Sequence, residues 1–279
     1  MTLDMMKAVL LLIRLGHAGS AKSVADLVVD LLAGRLKITD LVRSFQTFHG
    51  LTPTGELKEI GPKIALPRCA CPDVMAASTT PCKWPGPNVT YHQSIALPTI
   101  APEKVAALYQ AAWNQWSGVC GLNPLLVGPD PRFRANVSAR SGEGAADQFD
   151  AGGSILAWSQ LPLGADANTE LLQVFNDLEP WTEAMFLAVA CHEIGHAIGL
   201  SHSPGACLMN PYYDPTITAP TPADASAAQA LYGPPRPKSL PLAPAPANPP
   251  APVPSSVSPA SFILDFPVAG KYLVTISQQ

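Results

Sequence analysis

Apolar residues in the first fifty positions recur at the three-to-four-residue spacing of amphipathic helices. Two such runs comprise Val24, Leu27, Val28, Leu31 and Leu32, and then Ile38, Leu41, Val42, Phe45 and Phe48. They end at Gly34 and Gly50, and glycine commonly terminates a helix. An earlier run, AVLLLI, follows Lys7, and Arg14 interrupts it before it reaches the usual length of a signal-peptide core. We therefore expect three short helices that bury one another, the first of them folded and not a cleaved leader.

The middle of the chain alternates between strand and helix patterns. VTYHQSIAL reads as a strand, and Pro102 opens a helix that stops near Gly118. LNPLLVG, ANVSAR and GSILAWSQLP read as further strands, the last of them at a sheet edge. Thr182 caps a helix with the buried face MFLAVA, and Thr221 precedes a final helix that ends in ALYGPP. The pattern predicts an α+β domain over residues 86–233.

Prolines set the last part of the chain apart. Of the 31 prolines, eleven lie between Pro234 and Pro259, which is typical of a semi-extended linker. Beyond it, FILDFPVAGKYLVTI predicts two short strands. We assign residues 234–260 to a linker and residues 261–279 to a small β-like segment.

Composition excludes two classes of function. A hydrophobic content of 47% suffices for a packed core. The sequence contains no stretch of 18 apolar residues, so it predicts no membrane-spanning helix. The formal charge is −4, and no basic run offers a surface for a phosphate backbone. We therefore expect neither a membrane span nor a nucleic-acid partner.

The candidate chemistry is concentrated in CHEIGHAIGLSH, from Cys191 to His202. His192 and His196 stand one helical turn apart and project from one face, with Glu193 beside them. Gly199 can adopt a left-handed conformation that ends the helix and brings His202 round as a third ligand. Three neutral nitrogens with one open position describe a catalytic zinc, because a structural zinc would have a fourth protein ligand.

The alternative reading of this motif is a helix with two ordinary surface histidines. Met209, in CLMNPYY, argues against it, because a methionine turn there would form an apolar floor beneath the metal. With HEIGHAIGLSH, CLMNP and a closing LYGPP, the chain resembles the matrixin branch of the metzincin zinc endopeptidases. The resemblance implies a metzincin catalytic domain and a monomer that cleaves protein or peptide substrates. It also implies that Pro211 to Tyr213 line the pocket for the side chain after the scissile bond.

In such a site the zinc lowers the pKa of a water molecule to about 7 and polarises the scissile carbonyl. Glu193 would take the proton of the attacking water and pass it to the departing amine, without a covalent intermediate.

PRCACPDV, from Pro67 to Val74, is similar to the matrixin cysteine switch. A thiolate from Cys69 would fill the open zinc position and keep the enzyme latent, while Arg68 and Asp73 would form an ion pair that holds the segment bent. Cleavage or thiol modification would then activate the enzyme. Cys71 stands where the family usually has an apolar residue, and it could compete for the zinc or pair with Cys82. The alternative for Cys69 is a disulfide.

The segment LVRSFQTFHGLTPTGEL resembles the end of a matrixin propeptide, and also a peptidoglycan-binding three-helix domain. Residues 1–85 are therefore interpreted as a helical propeptide carrying the switch, with cell-wall association as a further possibility. The rival function is a non-catalytic wall-binding protein with a degenerate protease fold. The intact histidines, glutamate and switch cysteine argue against it. Family chemistry and the cysteines suggest an extracellular or secreted protein, although the signal peptide is unclear.

Matrixins usually carry a second, structural zinc, and here the chain departs from the family. The four corresponding positions hold Glu143, Ala145, Trp158 and Val174, none of them a histidine. We therefore expect one zinc ion, at the catalytic site alone.

A calcium site is a separate prediction from the resemblance. Asp150, Asn176 and Glu179 match positions whose oxygens bind calcium in the family, and hard oxygen donors suit that ion. The alternative is an ordinary polar loop. Among the six cysteines, a Cys191–Cys207 bridge beneath the metal is a further hypothesis.

Overall fold

The computed structural model describes residues 3–19, 22–73, 82–128, 135–142, 155–236, 261–266 and 270–275. The chain divides into two compact units, residues 1–236 and 237–279. The helices are α1 Leu3–Arg14, α2 Val24–Leu32, α3 Ile38–Phe48, α4 Gly61–Ile64, α5 Pro102–Val119, α6 Glu183–Ala197 and α7 Pro222–Tyr232, with a 3₁₀ turn at Leu57–Glu59. The strands are β1 Arg68–Cys69, β2 Asn88–Ser94, β3 Asn123–Leu126, β4 Val137–Ser141, β5 Ile155–Ser159, β6 Leu171–Phe175, β7 Ser261–Phe266 and β8 Gly270–Thr275.

Helices α1 to α3 form the predicted leading bundle. Leu12, Leu41 and Phe45 are fully buried in its core, since the apolar stripes of the three helices face one another. Gly34 and Gly50 follow α2 and α3 with positive φ angles of 72° and 66°, as the sequence predicted for helix ends. The first apolar run is thus a packed helix in this fold.

Among the described residues, six strands form one sheet in the order β1-β5-β6-β4-β2-β3. Strands β3, β2, β4 and β6 run parallel, and β5 pairs with β6 in the antiparallel sense. The predicted edge strand, β5, carries β1 on its outer side in a parallel pairing. The leading part of the chain therefore occupies the edge of the sheet.

Helices α5 and α6 pack against each other beside the sheet. Trp113 and Trp116 of α5 are fully buried in the core that these helices share with the sheet. The indole Nε1 of Trp116 donates to the carbonyl of Cys191 at 2.8 Å. This bond ties α5 to the helix that carries the histidine motif.

The second unit contains an antiparallel hairpin of β7 and β8, at the two strands predicted from the sequence. The predicted linker, residues 234–260, lies outside the described residues except for positions 234–236. Within the described ranges, no helix has both the length and the apolar character needed to cross a membrane.

Candidate active site

The histidine motif occupies the last turns of α6 and the loop that follows. Thr182 caps the helix by accepting a hydrogen bond from the Met185 amide. Gly199, just past the end, has a φ angle of 105°, and a methyl group there would overlap the carbonyl of Cys82. The chain therefore turns back at this glycine and brings His202 to the helix, as predicted.

The three imidazoles meet through their Nε2 atoms. The Nδ1 of His192 donates to the Leu208 carbonyl and that of His196 to the Leu200 carbonyl, each at 2.7 Å. Because a carbonyl only accepts, both rings carry their proton on Nδ1, and their Nε2 lone pairs point inward. The Nε2 atom of His192 lies 3.1 Å from that of His196. Unprotonated nitrogens at this separation repel one another unless a cation lies between them.

The third ring completes the arrangement. The Nδ1 of His202 donates to a carboxylate oxygen, and its Nε2 lies 3.2 Å from that of His192. Burial, followed by the neighbouring His202, lowers the pKa of His192 to about 3, and burial also lowers the pKa of His196 and of His202. The three side chains are at most 7% exposed. Neutral, convergent imidazoles are the form in which histidine binds a metal.

Cys69 supplies a fourth ligand atom. Its Sγ and one ring nitrogen from each of His192, His196 and His202 all lie within 4.8 Å of one another. Burial raises the pKa of the Cys69 thiol, so that only a cation would make it a thiolate here. Three nitrogens and one sulfur at such spacing fit tetrahedral zinc.

Met209 lies directly beneath the helix, where the methionine turn was predicted. A Cβ at Gly195 would overlap the Met209 sulfur, so helix α6 approaches the turn at its one glycine. The backbone amides of Leu208 and Met209 donate to the Asp224 carboxylate at 2.8 and 3.1 Å. Sequence reasoning missed that Asp224 holds the methionine turn. The available signal was the spacing of Thr221 and Asp224, which is that of a helix capping box.

Glu193 lies beside the ligand cluster and is fully buried. Its Oε2 lies 3.7 Å from the Cys71 sulfur, and its Oε1 has no hydrogen-bond partner among the described atoms. Burial raises the pKa of Glu193 to about 8. A carboxylate in such surroundings readily accepts a proton.

Residues 67–73, here named the switch segment, fill the cleft in front of the histidines. Three backbone hydrogen bonds hold the segment on both sides, from the amide of Cys69 to Pro211, of Ala70 to Ala157 and of Tyr213 to Pro67, at 2.9 to 3.0 Å. The two sides are strand β5 and the predicted wall at positions 211–213. An extended peptide therefore fits between them.

Cys71, whose role the sequence left open, faces Glu193. Its sulfur donates to the Ser159 carbonyl at 3.4 Å and accepts from the Ser159 amide at 3.3 Å, besides its contact with Glu193. It also belongs to a group with Cys69, Glu193 and His196 whose ligand atoms lie within 4.8 Å of one another. Competition of Cys71 for the metal stays a prediction, and its contact with Glu193 was missed by sequence reasoning.

The cysteines are unpaired. Cys69 and Cys82 are free, which contradicts a disulfide at either position. Cys191 and Cys207 are also free, so the bridge hypothesised between them is wrong. The Cys191 sulfur donates to Gln115 on α5 at 3.0 Å and faces away from the methionine turn.

Arg68 and Asp73 form the predicted ion pair inside the protein. Arg68 is fully buried, and its Nη2 lies 2.5 Å from the Asp73 Oδ1. The same guanidinium donates through Nε to the Cys69 carbonyl at 2.9 Å and through Nη1 to the Tyr212 hydroxyl at 3.2 Å. The Arg68 guanidinium thus holds the switch segment in a bend and binds it to the wall of the cleft.

Asp73 has three further partners. The Nε2 atoms of His17 and His49 each lie 3.1 Å from its Oδ2, and Nδ1 of His202 lies 3.1 Å from its Oδ1. These histidines, with Arg68, hold the pKa of Asp73 far below its usual range despite its burial. Sequence reasoning missed His17 and His49, because isolated histidines in separate segments carry no motif.

A cleft opens beside the candidate metal ligands. Its apolar lining consists of Leu156, Ala188, Val189, Leu208, Tyr213 and Ile217. Pro211 also lines it, and the role of this stretch toward a substrate side chain stays a prediction. The lining is of the kind that suits an apolar side chain.

The positions that replace the family's structural zinc ligands are partly described. Trp158 and Val174 face each other across β5 and β6 and pack together, Val174 being fully buried. Glu143 and Ala145 lie outside the described residues. An absent second zinc stays a prediction.

The calcium site also stays a prediction. The amide of Asn176 is buried, with Nδ2 donating to the Ile155 carbonyl and Oδ1 accepting from the Leu178 amide. Burial raises the pKa of Glu179, and Asp150 lies outside the described residues.

Comparison with known proteins agrees with this geometry. The matrixin family model matches residues 83–233. The chain is 32% identical over 190 residues to the hatching enzyme of Paracentrotus lividus, a match that covers 64% of this chain and 31% of that protein. It is 31% identical over 222 residues to the interstitial collagenase of Bos taurus, covering 74% and 45%, and 33% identical over 190 residues to stromelysin-1 of Mus musculus, covering 63% and 38%.

These matches span less than half the length of each relative. They agree with the mixed sheet and long helices predicted for a metzincin α+β fold. Since the family model covers more than half of the chain, the protein belongs to the matrixin family.

Proposed function

We propose that this chain is a latent zinc endopeptidase that hydrolyses peptide bonds in protein substrates. The observation that carries the proposal is the meeting of three unprotonated Nε2 atoms, from His192, His196 and His202, with the thiol of Cys69. Because each Nδ1 has an acceptor on the outer side, the three Nε2 lone pairs are directed at one point. A divalent cation is the partner they fit, and zinc suits this donor set.

When bound, zinc would act as a Lewis acid and make a water molecule acidic enough to attack at neutral pH. Glu193 would accept the water proton, because its carboxyl lies beside the ligand cluster and its Oε1 bonds to none of the described atoms. The same carboxyl would then deliver that proton to the departing amine.

The substrate would be an extended peptide. Strand β5 and the wall at Pro211 and Tyr213 hold the switch segment through backbone hydrogen bonds. A substrate that takes the place of this segment can form similar bonds. The apolar lining of the adjoining cleft favours an apolar side chain.

Latency follows from the same contacts. The switch segment places Cys69 where a water molecule is needed and Cys71 against Glu193, so that both the metal position and the base are covered. Removal of the leading segment would uncover them. We further propose that the protein acts outside the cell, as a monomer, and that Asp150, Asn176 and Glu179 bind calcium.

The first test concerns the base. After proteolytic removal of residues up to about 85, we expect the wild-type protein to digest casein, and 1,10-phenanthroline to abolish the digestion. Glu193→Ala should lower the rate by at least about a hundredfold. Glu183→Ala is the matched control, because Glu183 lies on the same helix with its carboxylate exposed, and it should keep the wild-type rate. Equal rates for wild type and Glu193→Ala would refute the mechanism.

The second test concerns latency. Full-length Cys69→Ser should digest casein without prior cleavage, because serine is a poorer zinc ligand than a thiolate. Cys82→Ser is the matched control, since Cys82 lies beyond the metal cluster, and it should remain latent. A latent Cys69→Ser would show that the thiol is not what holds the enzyme inactive.

A further inference from the structure

The three candidate zinc ligands differ in what holds their outer nitrogen. His192 and His196 donate through Nδ1 to the carbonyls of Leu208 and Leu200, which belong to the same part of the chain as the ligands. His202 donates instead to the carboxylate of Asp73, in the switch segment, at 3.1 Å. The third ligand is therefore oriented by a group that leaves when the leading segment is removed.

The helical bundle fixes that carboxylate. His17, which follows α1, bonds to Asp73 through Nε2 and to Ser44 of α3 through Nδ1, both at 3.1 Å. His49, which follows α3, bonds to the same oxygen of Asp73. The side chains of His17 and Asp73 are fully buried and that of His49 is 2% exposed. A continuous set of hydrogen bonds thus runs from the bundle to the ligand His202.

We propose that Asp73 is a positioning residue for the zinc ligand His202, through which the leading segment slows the loss of zinc from the latent protein. The inference rests on the proposed function, because it takes the three histidines to be zinc ligands. A carboxylate that accepts from the outer N–H of a ligating imidazole fixes the ring orientation and makes the inner nitrogen a better donor. Loss of such a partner typically lowers metal affinity by about 10- to 100-fold.

The proposal gives the leading segment two separable roles. Cys69 closes the metal position, whereas Asp73 stabilises a ligand that also serves the open enzyme. Once the segment leaves, Nδ1 of His202 loses this acceptor, and the released enzyme should hold zinc less firmly than the latent one. Zinc binding before removal of the leading segment would then be favoured over zinc binding afterwards.

The test uses the full chain with Glu193→Ala, which prevents self-digestion. Each protein is loaded with one zinc ion, and zinc release into excess 4-(2-pyridylazo)resorcinol is followed by absorbance. Asp73→Asn, which keeps the shape and removes the charge, should release zinc about 10 to 100 times faster than the parent. Asp40→Asn is the matched control. It makes the same exchange on helix α3, where the Asp40 side chain is 61% exposed, and it should stay within about threefold of the parent.

Cobalt(II) substitution separates positioning from docking. The thiolate-to-cobalt absorption reports whether Cys69 remains on the metal, and Asp73→Asn should retain that absorption while releasing zinc faster. Asp73→Glu, which keeps the anion but moves it by one methylene, should accelerate release by a smaller factor and serves if Asp73→Asn does not fold.

Two results would overturn the proposal. The first is unchanged zinc release in Asp73→Asn and Asp73→Glu. The second is faster release accompanied by loss of the thiolate absorption, because Asp73 would then act only by docking the switch. Failure of the proposed function looks different, since the parent itself would then bind no zinc or digest no casein after cleavage.

Discussion

The buried ion pair between Arg68 and Asp73 offers a quantitative test of latency. Arg68→Met removes the guanidinium but keeps much of the apolar stem. It deletes the bonds to Asp73, to the Cys69 carbonyl and to the Tyr212 hydroxyl. Since Arg68 is fully buried, no water replaces those donors while the switch segment stays docked.

The size of the effect follows from the burial. Removing one partner of a buried ion pair costs about 3 to 5 kcal/mol, because the remaining charge stays unpaired. Three histidines remain on Asp73 and offset part of this cost, so the lower figure, about 3 kcal/mol, applies. At 1.36 kcal/mol per tenfold change, the released fraction should rise by roughly a hundredfold.

The assay measures how often Cys69, the switch thiol, becomes accessible. In full-length protein carrying Glu193→Ala, iodoacetamide labels it only in the released state, and mass spectrometry of its peptide gives the rate. Lys63→Met is the matched control. Lys63 lies over the same Tyr212 ring, 4.2 Å from its centroid, without an ion pair to Asp73, and labelling should stay within about threefold.

Labelling of Arg68→Met at the parent rate, with the fold intact by circular dichroism, would refute the reasoning. It would mean that the guanidinium contributes nothing to docking beyond its apolar stem. A comparable rise in Lys63→Met would instead implicate the tyrosine ring and not the ion pair.

Three further predictions concern neighbouring contacts. Cys71→Ala removes the sulfur that bonds to Ser159 on strand β5 and covers Glu193. At about 1 kcal/mol for each of these three bonds, switch-thiol labelling should rise roughly a hundredfold, and an unchanged rate would contradict the prediction. Gly195→Ala forces a methyl group against the Met209 sulfur, and such overpacking costs about 1 to 3 kcal/mol. The Tm of the full chain should therefore fall by several degrees, and a decrease of less than about 1 °C would count against this packing. Burial lowers the pKa of His49 in the docked state from its ordinary 6.5, so docking is strongest above pH 6.5 and weakens as the pH falls through that value. Labelling by 4,4′-dithiodipyridine should therefore rise between pH 7 and pH 5.5 and should rise less in His49→Gln.

The ligand set was predictable from the sequence because its geometry is local. One helical turn separates His192 from His196, and one left-handed glycine, Gly199, brings His202 back within three residues. Short-range periodicity and backbone freedom decide such positions. The Arg68–Asp73 pair was predictable for another reason, because PRCACPDV resembles the family's switch sequence and these two residues match its flanking pair.

The contacts that join distant segments were not predictable. His17 lies 56 residues and His49 lies 24 residues before Asp73, and neither stands in a motif. Their approach depends on how the helical bundle packs against the rest of the chain, which no local pattern encodes. Cys71 shows the same limit, because its departure from the family pattern was visible while its orientation toward Glu193 depends on the register of β1 against β5.

Tyr212 belongs to the wall of the cleft by sequence, yet its ring packs into the core of the helical bundle. It is 7% exposed there and contacts His49, with ring centroids 5.1 Å apart. If the bundle were detached, the Tyr212 ring would stay with the rest of the chain. The cavity left in the core of the bundle would lower the stability of the bundle. Under the proposed activation, the released bundle would therefore unfold more easily than it binds again, and proteolysis of the unfolded bundle would make activation irreversible.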